Sequence, residues 1–164
     1  MDQIKRKPNR LKNYDYSQNG IYFITICTNN RKPVLSQIFV GAGIARLHAL
    51  QLTNIGLVAD KGIKGIEKHY ENVFIDHYVI MPNHVHLLLR IERPGGRAML
   101  APTVSRIVQQ LKGYVSKQSG KKVWQKSFYD HVIRDEQDYF TKWQYIDKNP
   151  LKWCEDELYQ QSFI

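Results

Sequence analysis

The chain has 164 residues, a length that suits one domain with its own hydrophobic core. Apolar residues make up 43% of it, which excludes a disordered chain, and its apolar runs fall far short of the roughly 20 residues of a membrane-spanning helix. Lys and Arg outnumber Asp and Glu by 24 to 15, and this net charge of +9 favours a polyanionic partner, nucleic acid before an anionic membrane surface.

The chain begins with a polar, basic arm over residues 1–20. No apolar stretch follows to form a signal peptide, so we expect a cytoplasmic protein without a membrane partner. The two cysteines, Cys27 and Cys154, lie far apart and form no CxxC pair, and we expect both to be reduced. No repeat or linker interrupts the chain, which predicts a single domain over residues 1–164.

Hydrophobic periodicity and turn residues predict seven regular elements. In chain order they are a strand at 21–28, a helix at about 45–70, strands at 73–80 and 84–91 joined by a turn, a helix at 104–117, a strand within 123–133, and a helix at 135–148. Asp135 is the expected cap of the last helix, which should end before Pro150. This order predicts an α+β ferredoxin-like sandwich: an antiparallel sheet with helices on one face and an extra C-terminal helix.

The first group with chemical potential is His84-Val85-His86, at the start of a predicted strand. Side chains at i and i+2 of a strand point to the same face, so both imidazoles should project together. Two neutral imidazoles side by side can chelate a divalent metal. The alternative is that two histidines share a sheet face by chance.

The second group lies on the last helix, where Tyr145 and Asn149 are four residues apart and share a face. An apolar stripe on that helix runs through Tyr139, Trp143 and Ile146, roughly 120° away from Tyr145. The helix therefore does not need Tyr145 for packing, although an amphipathic surface tyrosine has the same pattern. Two imidazoles, an amide oxygen and a phenol would form a phosphodiesterase in which Mg²⁺ or Mn²⁺ polarises a phosphate that the phenolate attacks.

Four ordered blocks make the similarity to a known family specific. They are residues 19–25 (NGIYFIT), 78–89 (YVIMPNHVHLLL), 124–134 (WQKSFYDHVIR) and 145–150 (YIDKNP). The second block resembles the His-hydrophobic-His (HUH) signature of single-tyrosine, IS200-like transposases. The other three resemble the branch called REP-associated tyrosine transposases.

This resemblance implies that Tyr145 is the nucleophile that forms a 5′-phosphotyrosine, and that His84, His86 and Asn149 are metal ligands. It also implies that the substrate is single-stranded DNA with an imperfect hairpin, and that the protein is a monomer or a homodimer. For His131 the sequence leaves hydrogen bonding, DNA contact and metal ligation open.

Contacts to DNA are expected from basic and aromatic residues, although each basic one is individually more often a solvated charge. The candidates are Arg10, Lys12, Arg31, Lys112, Lys121, Lys122, Trp124 and His131. Tyr114, Trp124 and Tyr129 could stack on unpaired bases, and we expect at least one of them to pack in the core instead.

Two other functions compete with DNA cleavage and rejoining. The first is a nucleic-acid-binding protein that keeps the fold without catalysis, and the second is a metal-dependent hydrolase of small molecules. The presence of Tyr145 together with both histidines favours catalysis, and the positive charge favours a nucleic-acid substrate.

Overall fold

A computed structural model describes residues 18–40, 48–92, 103–153 and 158. The DNA-contact candidates Arg10 and Lys12 lie outside these residues, as do most of the basic arm and Cys154. No helix in the described ranges is both long enough and apolar enough to cross a membrane.

Six strands, three α-helices and a short 3-10 helix at Asn29–Arg31 make up the regular structure of these ranges. The strands and α-helices are β1 Gly20–Cys27, β2 Ser36–Val40, β3 His48–Leu52, α1 Asn54–His69, β4 Val73–Ile80, β5 His84–Ile91, α2 Val104–Ser119, β6 Tyr129–Val132 and α3 Glu136–Lys148. Four strands form one antiparallel sheet in the order β4-β5-β1-β6. β2 and β3 pair separately as a two-stranded ribbon. The predicted α+β sandwich with an added C-terminal helix is confirmed.

The two central strands, β1 and β5, divide their side chains between two layers. One set of alternate residues packs with α1 and α2 in the main core: Tyr22, Ile24, Ile26, Val85, Leu87 and Leu89. The other set includes Phe23 and Leu88, which pack against Ile146 of α3 on the opposite face. Because strand side chains alternate, β5 supplies the main core and the α3 layer from the same eight residues.

Each helix begins at a polar residue that accepts a hydrogen bond from a backbone N–H of the first turn. The caps are Thr53 for α1, Thr103 for α2 and Asp135 for α3, the last as predicted. α2 ends at Gly120, whose φ of +63° favours glycine. These caps satisfy N–H groups that the helices themselves cannot.

The predicted start of the first helix, near residue 45, is wrong. Residues 48–52 are strand β3, and α1 begins only at Asn54. The apolar spacing of this segment fits a helix, but pairing with β2 prevails, and β2 itself was not predicted. The hydroxyl of Thr53, which donates to the carbonyls of Val34 and Leu35 and accepts from Gly56 N, fixes the change from strand to helix.

β4 contains a β-bulge that the sequence does not reveal. Ile75 pairs with Leu89 and His77 pairs with Leu88, so Asp76 is an extra residue in the register. A bulge of this kind re-aims the side chains beside it. Here it affects Asp76 and His77, which both contact α3.

Gly56 is required where α1 passes the backbone of Leu35. A Cβ at Gly56 would lie 1.9 Å from the carbonyl oxygen of Leu35, whereas a Cβ at Gly65 of the same helix would meet nothing within 4 Å. We therefore expect Gly56→Ala to lower the free energy of unfolding by about 1–3 kcal/mol, because main chain must move to relieve the overlap.

The matched control is Gly65→Ala, which should be neutral or raise stability by about 0.5–1 kcal/mol through helix propensity. Chemical denaturation of both variants measures the difference. Equal stability of Gly56→Ala and the parent protein would contradict the close approach of α1 to Leu35.

Candidate active site

The two histidines of β5 lie side by side beneath α3. His84 and His86 pair across the sheet with Cys27 and Thr25 of β1, and both are almost fully buried. Their ring centroids are 4.4 Å apart. The i, i+2 spacing on a strand therefore places both imidazoles on the α3 face, close enough to act on one ligand.

Asn83 fixes the tautomer of His84. The side-chain amide of Asn83 is buried, and its Nδ2 donates to the carbonyl oxygen of Leu158 at 2.7 Å. Its Oδ1 therefore faces His84 Nδ1, at 2.8 Å, and an amide oxygen only accepts. Nδ1 of His84 must carry the proton, which leaves the imidazole lone pair on Nε2.

His86 is held by a hydroxyl and an aromatic ring. Its Nδ1 lies 2.8 Å from Thr25 Oγ1, and its ring stacks on Phe23 with centroids 5.2 Å apart. Its Nε2 is buried and has no hydrogen-bond partner among the residues that the structure describes. Burial, with smaller contributions from His84 and Lys142, lowers the pKa of His86 well below its ordinary value. The ring is therefore neutral at pH 7, as a metal ligand must be.

Tyr145 lies against His86, one of these two imidazoles. Its ring makes edge contacts with His86 and Phe23, at centroid distances of 5.2 Å and 5.9 Å. The side chain is 44% exposed, while the next residue, Ile146, is buried against the sheet and anchors the helix. Tyr145 therefore lies where a ligand from solvent would meet the histidines.

Asn149 follows α3 at its C-terminal cap and is 4% exposed. The described ranges contain no cluster of three or more His, Cys, Asp or Glu side chains that could hold a metal ion. Within these ranges, a third protein ligand beside the two histidines would therefore have to be a residue other than His, Cys, Asp or Glu. The buried amide oxygen of Asn149 is such a group, and hard divalent cations accept amide oxygens.

A cavity of about 480 Å³ opens between Tyr145 and His86. The residues lining it are Phe23, Thr25, Arg31, His86, Tyr129, Lys142, Tyr145 and Leu158. Arg31 was predicted to contact DNA, but Lys142 was not singled out. Lys142 lies three residues before Tyr145, and residues three apart on a helix share a face. This spacing could have predicted that Lys142 lies beside Tyr145. A larger cavity of about 680 Å³ lies between α1 and α2, on the side of the sheet opposite α3.

The structure corrects one predicted DNA contact, Trp124, and gives protein partners to a second, Lys112. Trp124 is 5% exposed and packs in the main core, so its ring cannot stack on a base. The ammonium group of Lys112 donates to the carbonyls of Gln125 and Ser127 at 3.0 Å and 2.8 Å, and burial lowers its pKa to about 8. Its charge therefore holds the loop before β6.

The remaining candidates stay at the surface. Lys121 and Lys122 are exposed after α2, and Tyr129 is 49% exposed at the mouth of the cavity. The Nε2 of His131 lies 2.7 Å from Asp138 Oδ2, so hydrogen bonding is the role that the structure gives this ring.

Comparisons with known proteins agree with this architecture. No protein-family model matches the chain. An uncharacterized protein of Haemophilus influenzae is 33% identical over an alignment that covers 94% of this chain and 93% of that protein. A second Haemophilus influenzae protein, provisionally assigned as a REP-associated tyrosine transposase, is 24% identical over 87% of this chain and 77% of its own length.

A solved structure of a REP-associated tyrosine transposase bound to a REP hairpin has the same fold. It superposes with a TM-score of 0.63 over 88% of this chain and 74% of that chain, at 21% sequence identity. The chain therefore has the fold of that solved transposase, and it is similar along most of its length to a distant relative assigned to the same group.

Proposed function

We propose that the protein cleaves and rejoins single-stranded DNA, with Tyr145 as the nucleophile. The observation that carries this proposal is the contact between the partly exposed phenol ring of Tyr145 and the buried ring of His86. A phenol used only for packing would not need a buried imidazole at its edge, and a metal site used only for structure would not need an accessible phenol.

The donor set fits a divalent cation. Nε2 of His84, Nε2 of His86 and Oδ1 of Asn149 would hold it, while Asn83 and Thr25 orient the two rings through Nδ1. Mg²⁺ or Mn²⁺ bound there would polarise the scissile phosphate and neutralise the charge that develops on it.

The side chains of the protein account for the covalent step. A phenol has a pKa near 10 in water, so Tyr145 must lose its proton to attack phosphorus. The positive charges of Lys142 and Arg31 at the same cavity favour both the phenolate and the bound phosphodiester. The bond from phosphorus to the 3′ oxygen breaks, that oxygen takes up a proton, and the 5′-phosphotyrosine formed can be reversed by a 3′ hydroxyl.

The proposed substrate is single-stranded DNA beside an imperfect hairpin. The net charge of +9 and the basic side chains at the cavity suit a phosphate backbone. The similar solved transposase is bound to a REP hairpin. Since Tyr145 and both histidines come from one chain, a monomer can form the site, and a homodimer remains compatible with it.

Tyr145→Phe should abolish covalent adduct formation while the protein still binds the hairpin, because only the hydroxyl is removed. The measurement is gel analysis after denaturation of protein incubated with labelled single-stranded hairpin DNA and Mn²⁺. Tyr129→Phe is the matched control, since Tyr129 is another exposed tyrosine of the same cavity and should leave the adduct intact. An adduct that persists in Tyr145→Phe rules out this nucleophile. Hairpin binding without any adduct in the parent protein would indicate a non-catalytic DNA-binding protein.

His84→Ala and His86→Ala should each weaken Mn²⁺ binding by at least about tenfold, because each removes one imidazole ligand. Titration calorimetry without DNA measures the affinity directly. His69→Ala is the control, since His69 ends α1 on the other side of the sheet and should leave the affinity unchanged. Unchanged Mn²⁺ affinity in both ligand variants would contradict the metal site.

Lys142→Gln should make hairpin binding less sensitive to salt. Loss of one phosphate contact lowers the slope of log affinity against log salt by about 0.7 for single-stranded DNA. Lys64→Gln is the control, because Lys64 lies on α1 and is paired with Asp60. Parallel salt plots for the parent protein and Lys142→Gln would show that Lys142 contacts no phosphate.

A further inference from the structure

Helix α3, which carries Tyr145, is tied to both edges of the sheet by the same kind of contact. At its first turn, Asp138 Oδ2 lies 2.7 Å from Nε2 of His131 on β6. At its last turn, Asp147 Oδ1 lies 2.7 Å from Nε2 of His77 on β4. β6 and β4 are the two outer strands of the order β4-β5-β1-β6, so the helix is held across the full width of the sheet.

The contact with β4 is reinforced by aromatic stacking. The imidazole of His77 stacks on the indole of Trp143, with centroids 4.3 Å apart and an interplanar angle of 11°. Trp143 and Asp147 are one helical turn apart and lie on either side of Tyr145 in sequence. His77 therefore contacts α3 at Trp143 and at Asp147, one on each side of Tyr145 in sequence.

The bulge in β4 makes this grip possible. In a regular strand Asp76 and His77 would point to opposite faces. Because Asp76 is the extra residue, both reach α3: His77 contacts Asp147, and the hydroxyl of Tyr139 donates to Asp76 Oδ2 at 3.3 Å. Bulges are over-represented beside active sites, where they re-aim side chains.

The pair at the other end is also well formed. Burial opposes ionisation of Asp138, but hydrogen bonds from His131 and from the backbone N–H of Arg134 outweigh it and lower the pKa of this carboxyl group. Asp138 is therefore a carboxylate acceptor at pH 7. It joins the start of α3 to β6 and to the turn between them.

We propose that the pairs His77–Asp147 and His131–Asp138 form a two-ended clamp that sets the position of Tyr145 against His86. The clamp rests on the proposed function only for its catalytic consequence, since the docking of α3 is a property of the fold. His77, Asp147, His131 and Asp138 are positioning residues, and they act on the reaction through Tyr145.

The expected sizes of two effects, one on the stability of the fold and one on the reaction rate, separate a positioning role from a stabilising role. All four side chains are partly exposed, and exposed polar pairs, even fully charged ones, add little to the stability of a fold. A displacement of about 1 Å in a reacting group, by contrast, can cost about a hundredfold in rate. Loss of the clamp should therefore leave the protein folded and slow the attack by Tyr145.

The test compares His77→Ala, His131→Ala and the double variant with the parent protein. His77→Gln and His131→Gln are the conservative variants, since glutamine keeps an N–H donor near the position of Nε2. His69→Ala is the control away from α3. Three quantities are measured: the single-turnover rate of adduct formation at saturating hairpin DNA and Mn²⁺, the Kd for the hairpin, and hydrogen-exchange protection of the α3 amides.

We expect each alanine variant to slow adduct formation about tenfold and the double variant about a hundredfold, with the Kd for hairpin DNA changed less than twofold. The glutamine variants should recover most of the rate. Protection of α3 should fall at least tenfold in the double variant, while β1 and β5 keep theirs.

Parent-like rates or parent-like protection of α3 in the double variant would overturn the clamp. Failure of the proposed function looks different, because the parent protein then forms no adduct. The exchange measurement still decides in that case whether the two pairs hold α3.

Discussion

The structure depends on one constraint: β5 is buried on both faces and must supply two layers at once. Val85, Leu87 and Leu89 belong to the main core, while His84, His86 and Leu88 lie beneath α3. A buried polar nitrogen without a hydrogen bond costs about 1–3 kcal/mol, and Nε2 of His86 has none within the described ranges. Asn83 and Thr25 orient the two rings through their Nδ1 atoms despite this cost. The proposed metal site requires this arrangement of imidazoles.

The two faces of the sheet are covered differently, and this explains why the site lies on the face beneath α3. α1 and α2 cover the first face, and the side chains that the sheet and these helices bury between them are largely apolar. α3 covers the other face with a mixed surface, in which Ile146 is buried and Tyr145 is partly exposed. The helix thus performs two tasks, because it closes the small core around Phe23 and Leu88 and presents a phenol to the imidazoles.

Local sequence predicted the parts of the site that follow from periodicity. The bounds of β4 and β5 were predicted correctly, because each strand is rich in β-branched residues or leucine and the Met81-Pro82-Asn83 turn separates them. The spacing of His84 and His86 predicted a shared face, and the angular position of Tyr145 predicted that the apolar stripe of α3 does not need it. These features depend on the geometry of one element at a time.

Features that depend on contacts between distant segments could not be predicted. The β2–β3 ribbon forms through pairing across the chain, and the bulge at Asp76 becomes visible only in the register with β5. Trp124 was expected at the DNA surface, but it is buried because the chain before β6 returns to pair with Thr28. Lys142 likewise gains its importance only once α3 is docked over Phe23.

The most direct measurement of the central claim is a crystal structure of the Tyr145→Phe variant with Mn²⁺ and an uncleaved single-stranded hairpin, with the metal located by anomalous scattering. The account predicts one Mn²⁺ ion bound by Nε2 of both His84 and His86, with a phosphate of the DNA between that ion and the ring at position 145. An ion bound elsewhere, or DNA that passes over a different face of the sheet, would contradict it.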